Sequence, residues 1–213
     1  MHIQLENVTP EFLEKEKIEI SDTWNNHIII EQGERIQIIA PSGSGKTSFI
    51  HFLYAIRRDY SGNIFINKKN LRSFTAEDIS KLRSAKASVI FQDLKLFPDH
   101  SVFENINIKR LLDPFHIEAR ITEMALRLGI KNKLHKLAKT CSYGEQQRVA
   151  IIRALQQPFD VLLMDEPFSN LDEANRVKAM DLINEEVEKR NATVILADLK
   201  KIELFTADRI INL

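Results

Sequence analysis

Ala40-Pro-Ser-Gly-Ser-Gly-Lys-Thr47 decides the reading of this 213-residue chain. The β-branched run Glu34–Ala40 enters it as a strand and Lys46–Ile56 leaves it as a helix, so a tight glycine-rich turn falls where strand gives way to helix. That arrangement aims several backbone N–H groups and the positive end of a helix at one point, which suits a phosphate. Gly43 and Gly45 supply backbone conformations and clearance that a side chain would deny. Lys46 is placed to reach the β- and γ-phosphates, the Thr47 hydroxyl to ligate Mg²⁺ and Ser48 to touch the α-phosphate, with Pro41, Ser42 and Ser44 completing the loop. The strict pattern begins with glycine; here Ala40, the smallest replacement, stands there, and binding is expected to survive. The competing reading is a glycine-rich turn without a ligand.

Downstream, the apolar strand Val161-Leu-Leu-Met ends in Asp165-Glu166-Pro167. Two carboxylates closing a buried strand are costly without a cation nearby. Asp165 fits a Mg²⁺ position held through water beside Thr47, and Glu166 fits the base that polarises an attacking water. Between loop and strand lies Cys141-Ser-Tyr-Gly-Glu-Gln-Gln-Arg148, where Ser142 followed three residues later by Glu145 makes a capping box that opens a helix over 144–157. A bare helix start with no ligand is the alternative for that box.

In this order, the three segments resemble the ATPase subunit of ATP-binding-cassette (ABC) transporters, over nearly the whole chain. The resemblance implies an α/β P-loop NTPase with a mainly parallel sheet core, a small antiparallel β subdomain and an inserted helical subdomain at about 93–140, as one ABC ATPase domain over 1–213. It implies ATP and Mg²⁺ as cofactors. Ser142, Gly144 and Glu145 match the family signature that caps the γ-phosphate held by a second subunit, so a two-fold pair of cassettes is expected, with another copy or a related chain. Gln92, after the strand Ser88–Phe91, matches the family's Mg²⁺- and water-sensing glutamine; alone it would be an ordinary polar loop residue. Ser169-Asn-Leu-Asp172 resembles the loop that crosses the dimer interface, although Asp172 could equally cap the next helix. Phe12 falls where the family often stacks a tyrosine on adenine; it fits a core phenylalanine as well.

This sequence departs from the family at several positions. The signature has Cys141 for Leu and Tyr143 for the first Gly, and a tyrosine there could crowd the composite site or point away. The family's switch histidine, one strand after the interface loop, is missing: the matching stretch is Leu196-Ala-Asp-Leu199, and no histidine follows His135. Counting back without a gap from Ala207-Asp-Arg-Ile210 puts Asp198 in its place; a one-residue shift gives Leu199. A carboxylate there opposes the γ-phosphate charge, which implies slowed hydrolysis with ATP binding less affected.

Leu82-Arg83, Val89-Ile-Phe-Gln-Asp93, Leu96-Phe-Pro98 and Phe103-Glu-Asn-Ile106 resemble the lipoprotein-release, macrolide-efflux and cell-division branch (LolD, MacB and FtsE). Those cassettes drive mechanical membrane partners, so an integral membrane permease subunit is the implied partner. Leu94, Leu96 and Phe97 fit either a groove for a partner's helix or subdomain core. Rival readings are a hydrolysis-impaired regulatory cassette, a soluble ABC ATPase of translation or DNA repair, and a metabolic P-loop kinase. The second would usually carry another cassette or a long coiled coil, and the third lacks the signature.

Composition fits this. Thirty basic residues balance 30 acidic ones, so no global field argues for nucleic acid. One cysteine allows no internal disulfide and fits a reducing compartment. No apolar run nears the roughly 20 residues of a membrane helix, and the N-terminus shows no signal pattern, so the expectation is a cytoplasmic protein on the inner face of the cell membrane through its partner. Shorter strands are expected at Ile3–Val8, Lys17–Ser21, His27–Glu31 and Asn63–Asn67, then after the signature a strand at 160–165, a helix at 173–190 and strands at 192–197 and 208–213. Ile117, Ile121, Met124, Ala125 and Leu128 recur at helical spacing until Gly129. Ending on a strand leaves no room for a C-terminal regulatory domain.

Overall fold

The computed structural model describes residues 1–213. In chain order it contains β1 (Ile3–Pro10), α1 (Lys15–Glu19), β2 (His27–Ile30), β3 (Arg35–Ile39), α2 (Lys46–Leu53), β4 (Tyr60–Ile66), β5 (Lys69–Asn70), α3 (Ala76–Lys81) and β6 (Ala87–Ile90). There follow α4 (Val102–Leu112), α5 (Ala119–Arg127), α6 (Tyr143–Ala154), β7 (Val161–Asp165), α7 (Glu173–Arg190), β8 (Thr193–Asp198) and β9 (Arg209–Asn212).

Strands β6-β7-β8-β3-β9 form one sheet in that order, every neighbouring pair parallel. The inner strands β7 and β8 are apolar on both faces, as strands covered on both sides require. The period of two splits them cleanly. Val161 and Leu163 of β7 and Ile195 and Ala197 of β8 join one core cluster. Leu162 and Met164, and Val194 and Leu196, join the other. The first cluster is closed by α2 and by an antiparallel sheet ordered β2-β1-β4-β5, the second by α4, α5, α6 and α7. α5 is also tied to α7 by charge: Arg120 lies 2.8 Å from Glu186, and Arg127 pairs with Glu185.

Several expectations shift. Lys17–Ser21 is not a strand; Lys15–Glu19 is a short helix with no buried residue. The alternation Lys17-Ile-Glu-Ile20 imitates a strand, but Ile20 is 78 % exposed and no partner strand lies alongside. Glu14 and Lys17 instead pair at 3.0 Å across one helical turn. The helix α3 was legible in its capping box, where Thr75 accepts from the Asp78 amide and Asp78 from the Thr75 amide, yet the expected pattern passes over it. Leu94 is core, Leu96 is half-buried against the second cluster, and Phe97 stays exposed. No helix is long and apolar enough to cross a membrane.

Candidate nucleotide site

The edge of the parallel sheet sets the site. β3 and β7 both end at its carboxyl side, where ligands of such sheets bind. β3 runs into the loop 40–45, and α2 begins at Lys46 with Gly45 as its N-cap at φ 102°. A side chain at Gly45 would be strained there, and its Cβ would stand 3.0 Å from Trp24. Trp24 is buried and donates its indole N–H to the Ser44 carbonyl at 3.1 Å, so it clamps the loop from beneath. Pro41 accepts from the Ser44 hydroxyl at 2.8 Å, which holds the turn closed. Ser42 and Gly43 form the open crest, with no atom within 4 Å of where a Gly43 Cβ would stand.

Lys46 is only 6 % exposed. Its ammonium donates to the Ala40 carbonyl at 3.1 Å and stands 3.6 Å from Glu166 Oε1. Asp165, closing β7, is 1 % exposed, and its Oδ1 has no hydrogen-bond partner. Burial pushes this carboxyl above the usual range; the Thr47 hydroxyl offsets that in part, and the charge of Glu166 adds to it. An orphaned buried carboxylate oxygen beside a hydroxyl and an amide is a donor set for a hard cation. Thr47, Gln92 and Asp165 line one cavity of about 290 Å³, so the three expected metal residues come together, and the site fits Mg²⁺. Glu166 has a left-handed backbone, φ 45°, held by its amide's 2.9 Å bond to the Ala197 carbonyl. That turn directs Glu166 into a neighbouring cavity of about 360 Å³ that Asp198 also lines. A left-handed non-glycine residue costs free energy that the surrounding bonds must offset, here the Ala197 carbonyl.

The signature opens α6 as expected. Ser142 is the N-cap, accepting from the Glu145 amide at 3.3 Å, and Glu145 accepts from the Ser142 amide at 2.8 Å. Glu145 is also paired with Lys133 at 3.0 Å, which holds its carboxyl below the usual range. Its side chain is thus committed to the helix start. Tyr143 lines the cavity of Thr47 and Gln92 in its own chain. At Gly144 a Cβ would meet the Asn170 carbonyl at 2.8 Å, so this glycine is needed for close approach to the loop 169–172.

Three participants went unrecognised in the sequence. Gln147 is fully buried; its amide donates to the Glu166 carbonyl at 3.3 Å and accepts from the Asn170 amide at 2.9 Å, joining α6 to the end of β7 and to the loop 169–172. A buried glutamine inside the motif was the available signal. Trp24 and Arg57 carried none, because Trp24 meets the Ser44 carbonyl twenty residues on and Arg57 meets the Phe12 ring from another part of the fold. Phe12 is 49 % exposed rather than core, and Arg57 lies over its ring at 4.3 Å.

Comparison with known proteins agrees with this geometry. A sequence profile described as ABC transporter matches residues 25–169. The chain is 35 % identical to the cell division ATP-binding protein FtsE of Bacillus subtilis over 177 residues, covering 82 % of this chain and 77 % of that protein. It is 34 % identical to the lipoprotein-releasing system ATP-binding protein LolD of Legionella pneumophila, covering 79 % and 76 %. The solved dimeric structure of MJ0796, a bacterial ABC transporter cassette, superposes with a TM-score of 0.85 at 26 % identity, covering 99 % of this chain and 94 % of that one. The same cassette bound to ADP and Pi in a post-hydrolysis state superposes equally well. This chain therefore belongs to the ABC transporter family, as an ATP-binding ATPase subunit of its FtsE- and LolD-like branch.

Proposed function

We propose that residues 1–213 form one ABC cassette, with 93–140 as its helical subdomain, that binds Mg-ATP at the loop 40–48 and, paired with a second cassette, hydrolyses it to drive a separate integral membrane protein. The observation that carries this reading is the buried Lys46 ammonium 3.6 Å from Glu166, next to an Asp165 oxygen that has no partner. This cluster of one cation and two carboxylates supports a γ-phosphate and its Mg²⁺ bound there.

Within this reading the loop amides and Lys46 hold the β- and γ-phosphates, Ser48 the α-phosphate, and Phe12 the base. Thr47, Asp165 and Gln92 would hold Mg²⁺, which would supply charge neutralisation for the phosphates. Glu166 accepts the proton of the attacking water, its turn fixed by Ala197 and Gln147. Ser142 and the amide of Gly144 serve the nucleotide of the opposing cassette. Relatives named as ATP-binding proteins of cell division and of a lipoprotein-releasing system support a role as the energising part of a larger assembly. That assembly places the chain on the cytoplasmic face of the cell membrane.

Calorimetry with Mg-ATP on wild type and Lys46→Ala tests the site. Binding should weaken by about 1–3 kcal/mol, the scale of a lost charge-assisted hydrogen bond. Equal affinities would overturn the assignment.

A further inference from the structure

Arg57 joins the proposed base platform to the proposed α-phosphate residue. Its guanidinium carbon lies 4.3 Å from the centroid of the Phe12 ring, and one terminal N–H donates to the Ser48 hydroxyl at 2.9 Å. Its Nε donates to Asp59 Oδ1 at 2.9 Å, and the other terminal nitrogen pairs with the second oxygen of the same carboxylate. This two-point clasp holds the Arg57 guanidinium above its ordinary range and the Asp59 carboxyl below its own. The Phe52 ring, 5.9 Å away and buried, backs the guanidinium from the helix side.

A guanidinium clasped on two of its nitrogens keeps a fixed plane, so little side-chain freedom remains to lose when the third binds an anion. That third nitrogen is the one at Ser48. Lys46 does not serve this end of the site, because it is buried and turned toward Glu166. The α-side of the loop has its own cation.

We propose that Arg57 is a nucleotide-contacting residue of this cassette, presenting an N–H to the α-phosphate at Ser48 while its face supports the Phe12 ring under the base. The inference rests on the nucleotide reading of the loop 40–48. It also makes a distinct demand: Arg57 acts at the α-phosphate and the base, which ATP and ADP share in full, whereas Lys46 acts at the β- and γ-phosphates, of which ADP keeps only one.

Titration calorimetry of the full chain with Mg-ATP and Mg-ADP separates the two. Arg57→Ala should raise both dissociation constants by one common factor, roughly fivefold to thirtyfold for a half-exposed charge-assisted hydrogen bond. Arg57→Lys should recover part of that loss, since it keeps the charge without the fork. Asp59→Asn should weaken both nucleotides in the same direction but less, by loosening the clasp. The two α-thio diastereomers of ATP give a readout that mere support of the fold would not move. Wild type should prefer one, and Arg57→Ala should bring the ratio of their affinities toward unity. Should Arg57→Ala melt early, Arg57→Gln, which keeps a donor without the charge, is scored the same way. Unchanged constants, a loss confined to ATP, or an unchanged diastereomer ratio would each overturn the proposal. If Lys46→Ala weakens ATP and Arg57→Ala does not, this inference alone fails; if neither does, the nucleotide site itself is misplaced.

Discussion

The backbone carbonyl of Asp198 accepts a hydrogen bond from the Ala40 amide at 3.1 Å. The parallel register that pairs Ile39 with Asp198 ends there, so the last residue of β8 stands against the first residue of the phosphate loop. Asp198 and Leu199 both line the cavity that holds Glu166, Asp198 half-buried and Leu199 49 % exposed. Burial, and then the charge of Glu166, push the Asp198 carboxyl up, with the Leu199 and Lys200 amides offsetting part of the rise. A carboxylate thus stands between Glu166 and the start of the phosphate loop.

Basal ATP turnover should accordingly be slow, and Asp198→His should raise it by up to the factor of about 10²–10³ assigned to one transition-state donor. Steady-state phosphate release measures this. The gain should disappear in a Glu166→Gln background, because both groups act on the same water and phosphate. Leu199→His is the control, because Leu199 lines the same cavity: a gain there in place of Asp198→His would assign the position to Leu199. A wild type already turning over several ATP per second, as competent enzymes do, would mean that another group replaces the histidine.

The same carboxyl should cost stability. An acid whose folded pKa is raised binds more protons folded than unfolded, so stability falls as pH rises above the unfolded value of 3.8 and stays lowered once the folded group has ionised. Asp198→Asn removes that penalty at neutral pH. Its melting temperature at pH 7 should exceed that of wild type. The difference should shrink as the pH is lowered toward 4, and a lower melting point for the variant at pH 7 would contradict the argument.

Much of this site was legible in the sequence because its parts are local. A strand, a glycine turn and a helix follow one another at 35–53, and the capping box of Ser142 and Glu145 spans four residues, so short-range rules suffice. The parallel sheet was also legible, since strands and helices alternate. What escaped depends on distance. Gln147 matters through Glu166 and Asn170, Trp24 through a loop some twenty residues on, and Arg57 through Phe12 and Ser48. The strand expected at 17–21 failed for a related reason: alternation says which residues share a face, not whether a neighbouring strand is there to receive them.

ATP should bring two cassettes together. Ser142 opens α6 with its hydroxyl exposed, and Gly144 lets that helix sit directly on Asn170. Glu166→Gln, which retains ATP by removing the base, should shift the protein toward dimer on size exclusion with Mg-ATP. Gly144→Ala should abolish the shift while leaving ATP affinity within about twofold, because a Cβ at 2.8 Å from the Asn170 carbonyl displaces the loop 169–172 and not the phosphate loop. A Glu166→Gln protein that stays monomeric with ATP bound would point to a different second chain, or to a signature that Tyr143 has disabled.

The strongest stability effect outside the site should come from Glu186. It is fully buried on α7, with His116 at 2.7 Å, Arg190 at 2.6 Å and Arg120 at 2.8 Å. Burial alone would raise its pKa, but hydrogen bonds from His116, Arg190 and Arg120 more than offset that and hold the carboxyl well below the usual range. The Arg190 side chain is itself 3 % exposed, so Glu186→Ala leaves a buried guanidinium with backbone carbonyls but without its carboxylate. Such a change typically costs about 3–5 kcal/mol. Urea denaturation should show this as a lower midpoint with an unchanged slope. Because the folded pKa is depressed, the contribution of Glu186 is fully present above its unfolded value of 4.5 and is lost as pH falls below it. The gap between wild type and Glu186→Ala should therefore narrow on acidification, and a gap that held constant from pH 7 to pH 3 would show that Glu186 acts by packing rather than by charge.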